Sequence, residues 1–520
     1  MSYKNAFFSL EDLIESDLTN LKTLQIIFGY CSLTETEIST LAETLRQCQN
    51  IESLELDLAS NEISEEGLAE ICDSLQKMTE LKSLNINFIQ NSISQKKANI
   101  ISSIFVNYKN LQSLSMSLDL GLEDKECVNI QISKIEQCQQ IQELSLIFYQ
   151  QEENQDQITE SELENLRPLL ANLNNLNSLN IIFAFAQVNS EIMNLLTISL
   201  IQSKNLTSNL TSLKIGLEDC QVREQDISEL SNRLPEFKNL QNLSLNFKQT
   251  QISLQVIESI FQSLQKCTIL NSLELDIKLE NDQCQESSCL FFYLGKCISL
   301  KSLTLSNYGN DFSNDSVQGL GECIFSLKNL TNLYLQLGDC QISKAGLKNL
   351  SSNIGSCENL INLEIDLSGN NIGDEGTIEL ADGLKNSTNL KQLSLTLVSC
   401  EIQKIGASNL GQGLKHLKNL SHLKLHLQLN QIQDQGISQL FKYLSDSENL
   451  LSLDFSIGDG NITEEGANDI ISALRNNLSI KCLNLNLSGN NYSYKFFQKL
   501  RARLQKKKSL VFLDFMIECY

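Results

Sequence analysis

A phrase of thirteen residues recurs along this chain and constrains it more than any other feature. Its cleanest copy runs from Leu360 to Ile372, Leu-x-x-Leu-x-Ile-x-Leu-x-x-Asn-x-Ile, followed by Gly376, Leu380 and Leu384 before the phrase restarts at Leu390. Phrases open at Leu21, Ile51, Leu81, Leu111, Ile141, Leu176, Leu210, Leu240, Leu270, Leu300, Leu330, Leu360, Leu390, Leu420, Leu450, Ile480 and Leu510. The step is 30 residues, except from Ile141 to Leu176 (35) and from Leu176 to Leu210 (34). A fixed period in this range marks stacked supersecondary units. Seventeen copies in tandem leave no room for a linker or a second domain.

Positions are counted here from the first residue of each phrase, so that Asn370 occupies slot ten. In Leu393-Ser394-Leu395-Thr396-Leu397 apolar residues alternate with small polar ones, the period-two pattern of a strand with one buried face. The second half changes period: Gly406, Leu410 and Leu414 lie four apart, as do Gly436, Leu440 and Leu444, which predicts a helix with one apolar stripe. One strand and one helix cannot bury their own apolar faces. Neighbouring units must therefore stack, with parallel strands inside a curve and helices outside.

These residues resemble the leucine-rich repeat family, and the helix-bearing units are similar to its ribonuclease-inhibitor-like subfamily. The resemblance covers Leu21 to Tyr520 and implies an α/β horseshoe solenoid of about 17 repeats. Residues 21–520 are expected to form one domain, irregular around 141–210. Residues 1–20 carry Leu10, Leu13, Ile14 and Leu18 at helical spacing and are expected to be an N-terminal helical cap. The phrase departs from the family's in one respect. Leu367, Leu397 and Leu427 add a second x-Leu step, from which strands two residues longer are expected.

Irregularity concentrates in repeats five to seven. The two prolines of the chain, Pro168 and Pro235, fall there and predict a distorted helix or a local change of curvature. The run Gln150 to Asp156 has no apolar residue and is expected to leave the repeat surface as a loop. Repeats eleven to fifteen are the most regular, with Gly346, Gly376, Gly406, Gly436 and Gly466 all at slot sixteen. Glycine there implies a backbone conformation or close approach that a side chain would obstruct.

Net charge is -23. That opposes binding to nucleic acid or anionic membrane, which recruit Lys and Arg, and favours a protein partner with a basic surface. No run approaches the ~18 consecutive apolar residues of a membrane helix, and Met1 to Asn20 has no signal-peptide core, so an intracellular, cytoplasmic protein is expected. A composition rich in Asn and Gln and poor in Pro resembles that of proteins from AT-rich genomes such as those of ciliates, which adds cilium and cytoskeleton as candidate addresses.

The 16 cysteines follow register. Cys31, Cys220, Cys340 and Cys400 share slot ten with Asn61, Asn91, Asn370 and Asn430, and Cys48, Cys138, Cys267, Cys297 and Cys357 all end a helix half. Small buried thiols in a reducing compartment are expected rather than disulfides or a metal site, although Cys284-x4-Cys289 is a spacing to check. The resemblance implies that slot ten forms a ladder capping backbone groups in the turn after the strand.

No phosphate-binding, dinucleotide, zinc-protease or calcium motif survives inspection, and no cofactor is expected. His422 and His426 look like a metal pair, but on a strand four residues span ~13 Å, too far for one ion. What remains is surface. Slots four and six should point out of the inner sheet, which nominates Glu55, Asp57, Glu274, Asp276, Tyr334, Glu364, Asp366, His426 and Asp454 as partner-binding residues on an acidic concave face. The chain closes on a strand with no covering helix. Lys506, Lys507, Lys508, Leu510 and Phe512 are therefore nominated as an edge able to pair with another subunit or protein in a larger complex. The function expected is a non-catalytic protein-interaction scaffold. The subfamily resemblance adds an alternative, regulation of another enzyme in the manner of the ribonuclease inhibitor or the Ran GTPase-activating protein.

Overall fold

Strands form where apolar and polar residues alternate, and helices where the period lengthens. The computed structural model describes residues 5–18, 20–120, 122, 124–151, 158–279, 291–307, 309, 314–507 and 509–516. They fall into two units, Met1–Thr250 and Gln251–Tyr520.

In the first unit the strands are β1 (Ala6–Phe7), β2 (Thr23–Ile27), β3 (Ser53–Asp57), β4 (Ser83–Asn87), β5 (Ser113–Leu120), β6 (Glu143–Gln150), β7 (Ser178–Ala184), β8 (Ser212–Glu218) and, as far as Thr250, β9 (Asn242–Ile252). Each lies parallel to the next. Residues 1–20 supply both a short helix, Leu10–Ile14, and the two-residue strand β1.

The second unit contains β10 (Ser272–Leu279), β11 (Ser302–Ser306), β12 (Asn332–Gln336), β13 (Asn362–Asp366), β14 (Gln392–Thr396), β15 (His422–His426), β16 (Ser452–Ser456), β17 (Cys482–Asn486) and β18 (Phe512–Met516), again parallel throughout. Like slots pair with like: Leu363 with Leu393, Leu393 with Leu423. That register carries the burial pattern from strand to strand. Slots three and five are buried, while two, four and six stay partly open.

Helices cover the buried side. In Gly373–Leu384 the buried residues are Gly376, Thr377, Leu380, Ala381, Gly383 and Leu384, a stripe at helical spacing. Each fully buried leucine contributes roughly 2 kcal/mol.

The extra x-Leu step does not lengthen the regular strands, which stop at slot six after five residues. Leu367, Leu397 and Leu427 are buried just beyond. A left-handed residue two positions later, Gly369 (φ 71°), Ser399 (φ 55°) or Leu429 (φ 56°), turns the chain aside. Leu120 and Gln150 hold slot nine in repeats four and five without that conformation, and there β5 and β6 run on to eight residues.

Gln150 is therefore not the start of a loop: it ends β6, is buried, and its Oε1 accepts the Gln187 N–H at 2.9 Å. Residues Glu152 to Asp156 of the expected loop lie outside the described residues, as do Cys284 and Cys289. The helical halves here are short and partly 3-10: Cys127–Ile132 then Ile135–Gln137, Glu160–Leu163 then Leu166–Asn172. Pro168 sits in the first turn of its helix and Pro235 in a 3-10 turn, places where a missing N–H breaks no helical bond.

Candidate functional site

Two sets of side chains compete for attention at the strand ends and on the open sheet face: those that hold the repeats together and those left free. The first set is large. Asn370 is buried, and its Nδ2 donates to Leu337 O (2.8 Å) and Leu367 O (2.8 Å) while its Oδ1 accepts from Cys340 N (3.1 Å) and Ile342 N (2.8 Å). One amide thus satisfies backbone groups of two successive turns, groups that would be costly to bury unpaired. Asn430 does the same for Cys400 N, Ile402 N, Leu397 O and Leu427 O. The intervening cysteine need only donate, and Cys400 Sγ reaches Leu367 O at 3.2 Å.

Slot sixteen is a close approach, not a left-handed turn. The Asp374 carboxylate accepts from Gln403 N (2.8 Å) and Gly406 N (2.7 Å), capping the helix Lys404–Leu414 of the next repeat, and a Cβ on Gly406 would lie 2.6 Å from that carboxylate oxygen. Asp434 caps Thr463 N in the same way, with Gly466 as the gap.

On the open face, slot four of the second unit runs Glu274, Thr304, Tyr334, Glu364, Ser394, Lys424, Asp454, Asn484 across adjacent strands. Slot six runs Asp276, Ser306, Gln336, Asp366, Thr396, His426, Ser456. The row is mixed in sign rather than uniformly acidic. Glu364 and Lys424 stand two strands apart, roughly 10 Å, and neither has an ion pair or side-chain hydrogen bond among the described residues. Between them the Ser394 Oγ is buried without a partner. Together with Tyr334, Gln392, His422 and Asp454 they line a shallow basin of about 170 Å³. Asp454 is shared with His426, whose Nε2 lies 3.3 Å from its Oδ1.

The slot-six acids have a second task. Asp366 Oδ1 accepts from Ser368 N at 2.9 Å, and Asp57 Oδ1 from Ala59 N at 3.1 Å, so one oxygen of each closes its own turn. Glu55 lies between two amides, accepting from Gln25 Nε2 (2.9 Å) and Asn85 Nδ2 (3.4 Å). A wider hollow of about 720 Å³ lies on the turns Gln341–Lys344 and Gly369–Glu375, but its acids are committed: Asp374 to the cap above and Glu375 to an ion pair with Lys344.

In the first unit the same face changes character. Over β5 to β8 slot six reads Ser117, Ile147, Ile182, Gly216, and slot eight reads Asp119, Tyr149, Ala184, Glu218. Asp119 is 4% exposed. Its Oδ2 accepts from Gln90 N at 2.8 Å, where the neighbouring repeats offer a backbone carbonyl, and its Oδ1 is buried with no partner. Burial, against that one hydrogen bond, lifts its pKa from 3.8 to about 6.

The family model described as leucine-rich repeat matches residues 50–72, 361–381 and 419–441. Those windows hold the strand, the turn asparagine and the helix described above. The repeats in those windows are leucine-rich repeats. No curated protein matches the chain. Among solved structures, the yeast Rad7 and Elc1 complex matches at 15% identity over 84% of this chain and 86% of that one, with a TM-score of 0.40. The TLR13–ssRNA13 complex matches at 18% identity over 92% of this chain and 59% of that one, also at 0.40. At that score neither likeness bears on function.

The thiols of this leucine-rich repeat protein are free wherever described. Burial pushes Cys72, Cys138, Cys220, Cys297 and Cys400 up to about 12, and Cys48, Cys127 and Cys357 up to about 11. They are neutral hydrogen-bond donors, poor nucleophiles and poor metal ligands. Among the described residues no three His, Cys, Asp or Glu side chains gather as metal ligands would, and no helix is long and apolar enough to cross a membrane.

At the last strand, Phe512 is exposed, Leu510 partly so, and Lys506 faces solvent. Lys507 turns inward, its Nζ donating to Asn477 O and, at 2.6 Å, to Leu474 O at the end of the helix Glu464–Asn476, and desolvation there lowers its pKa. Lys508 lies outside the described residues. A second asparagine ladder escaped sequence reading. At the residue before each phrase, Asn329, Asn359, Asn389, Asn419 and Asn449 donate to Ile298, Lys328, Glu358, Thr388 and Lys418 carbonyls of the preceding repeat. Its signal was the recurring Asn-Leu pair at the phrase start.

Proposed function

We propose that this leucine-rich repeat protein is a non-catalytic scaffold that holds another protein on the open sheet face of its second unit. One observation carries the reading: Glu364 and Lys424 are held unpaired in one row of the sheet, two strands apart across a floor made by Ser394. A partner that brings a cation to Glu364 and an anion to Lys424 would pair both with little ordering left to do. The basin's 170 Å³ is small beside the roughly 300–1,000 Å³ of a small-molecule site, and it suits side chains presented by a partner's surface. Asp454, Asp276 and exposed Glu274 extend the row, so the partner's matching surface would be basic overall. Free donor thiols at slot ten suit a reducing compartment, which supports the cytoplasm; cilium and cytoskeleton are narrower addresses of the same reading.

Cross-linking of complexes from the native source should place partner cross-links at Lys424. The pair Glu364→Lys and Asp454→Lys should cut partner recovery at least tenfold, and unchanged recovery would retire the reading. Regulation of another enzyme rests on the subfamily resemblance. Phosphate release from GTP-loaded small GTPases, measured with and without the protein, separates an activator from a scaffold.

A further inference from the structure

The first unit carries a surface that the row on the second does not explain. On β5 to β8 the open face carries Ser115, Ser145, Asn180 and Lys214 at slot four, but Ile147 and Ile182 at slot six and Tyr149 and Ala184 at slot eight. Ile147 and Ile182 are half-buried and register-paired. Gly216 beside them keeps a gap that a Cβ would fill to 3.1 Å from Ile182 Cγ1. Tyr149 meets Phe185 edge-to-face at 5.9 Å, and Phe185 is held at φ 58°, a conformation that bulky residues avoid.

Charge frames the strip. Glu218 stands at slot eight on β8 and Asp119 at slot eight on β5, three strand spacings or roughly 14 Å apart. The Glu218 side chain accepts one hydrogen bond, from Asn246 Nδ2 at 2.5 Å. Asp119 is nine-tenths buried with Oδ1 unpartnered, and no described cation pairs with it. In a low-dielectric setting that negative charge is felt across the strip.

We infer that slots six and eight of β5 to β8 form a docking patch for a protein segment that sets an aliphatic or aromatic side chain between flanking lysines or arginines. The apolar side chain covers Ile147 and Ile182 above the Gly216 gap. The flanking cations lie towards Asp119 and Glu218, the two charged residues at slots six and eight of these four strands; Lys214, at slot four of β8, and Lys248, on β9, lie outside those slots. None of these residues belongs to the row of the second unit, so either surface can fail alone.

The test is selection of a phage-displayed random 12-residue peptide library on the full chain. The expected result is enrichment of peptides with a basic–apolar–basic pattern. Synthetic copies should bind Ile147→Ser/Ile182→Ser at least tenfold more weakly, Asp119→Asn and Glu218→Gln several-fold more weakly, and Glu364→Lys/Asp454→Lys unchanged. Circular dichroism of each variant confirms folding, and Glu218→Gln, at a partly open position, serves if the isoleucine pair does not fold. No enrichment, a selected pattern without flanking cations, or affinities that all these variants leave within twofold would overturn the patch.

Discussion

Repeats eleven to fifteen and repeats four to seven share a period and almost nothing else at the strand ends. In the first block each strand stops at slot six, and an asparagine at every other turn satisfies the exposed backbone of two turns. In the second the strands run on, no slot-ten asparagine is present, and the Asp119 carboxylate stands where a carbonyl would. The difference teaches that turn and open face vary together along the chain. Where asparagine closes the turns, slots four and six are mostly polar and Glu364 and Lys424 stay free. Where the strands run on, slot six carries Ile147 and Ile182.

The sharpest way to break this comparison is to remove a turn asparagine. Asn370→Ala orphans two N–H groups and two carbonyls and should cost about 3–5 kcal/mol, against about 1 kcal/mol for Cys400→Ala, which loses only a donor. Urea unfolding followed by hydrogen exchange over residues 330–400 measures both. Equal losses would mean that the two-turn amide is not what holds the block.

Slot sixteen gives an intermediate effect. Gly466→Ala places a methyl 2.3 Å from the Asp434 carboxylate and should cost about 2 kcal/mol. The same change in an Asp434→Ala background should cost about half as much or less, since the closest contact is gone; full additivity in the double-mutant cycle would deny the close approach its role.

Much of the block was legible beforehand because each structural demand falls on one slot. Burial at slots three and five, small thiols and asparagine at ten, and glycine at sixteen all appear as identities in register. The strand's end was misjudged because alternation continues past slot six whether or not the strand does, and a left-handed residue at slot nine follows both short strands, at Gly369, Ser399 and Leu429, and longer ones, at Phe185 and Asp219. The open-face residues were placed correctly by alternation, but their pairing was hidden. That Asp366 closes its own turn while Glu364 is free follows from hydrogen bonds two residues away, not from the identity of either acid. Asp119 was invisible for the same reason, since slot eight means nothing until the strand extends.

Asp119 supplies the smallest and most specific prediction. Its folded pKa is raised, so the folded chain takes up a proton before the unfolded one, and the buried charge is destabilising above about pH 6 and ceases to be so as pH falls towards 3.8. Asp119→Asn keeps an acceptor for Gln90 N and should therefore stabilise the first unit at pH 7 by about 1–2 kcal/mol, with the gain vanishing near pH 4. Thermal melts at the two pH values decide it. A variant less stable at pH 7 would show the carboxylate to be a structural necessity rather than a retained liability.

The alternation of Asn370, Cys400, Asn430 and Gly460 makes length a matter of parity. Excising the repeat that begins at Leu390 would seat Asn430 against a turn that already bonds to itself, and would take away the helix that Asp374 caps. Excising that repeat together with the next would rejoin the turn of Asn370 to that of Gly460, reproducing the junction that now follows Asn430. In this block the chain can be shortened or lengthened cleanly by sixties, not by thirties.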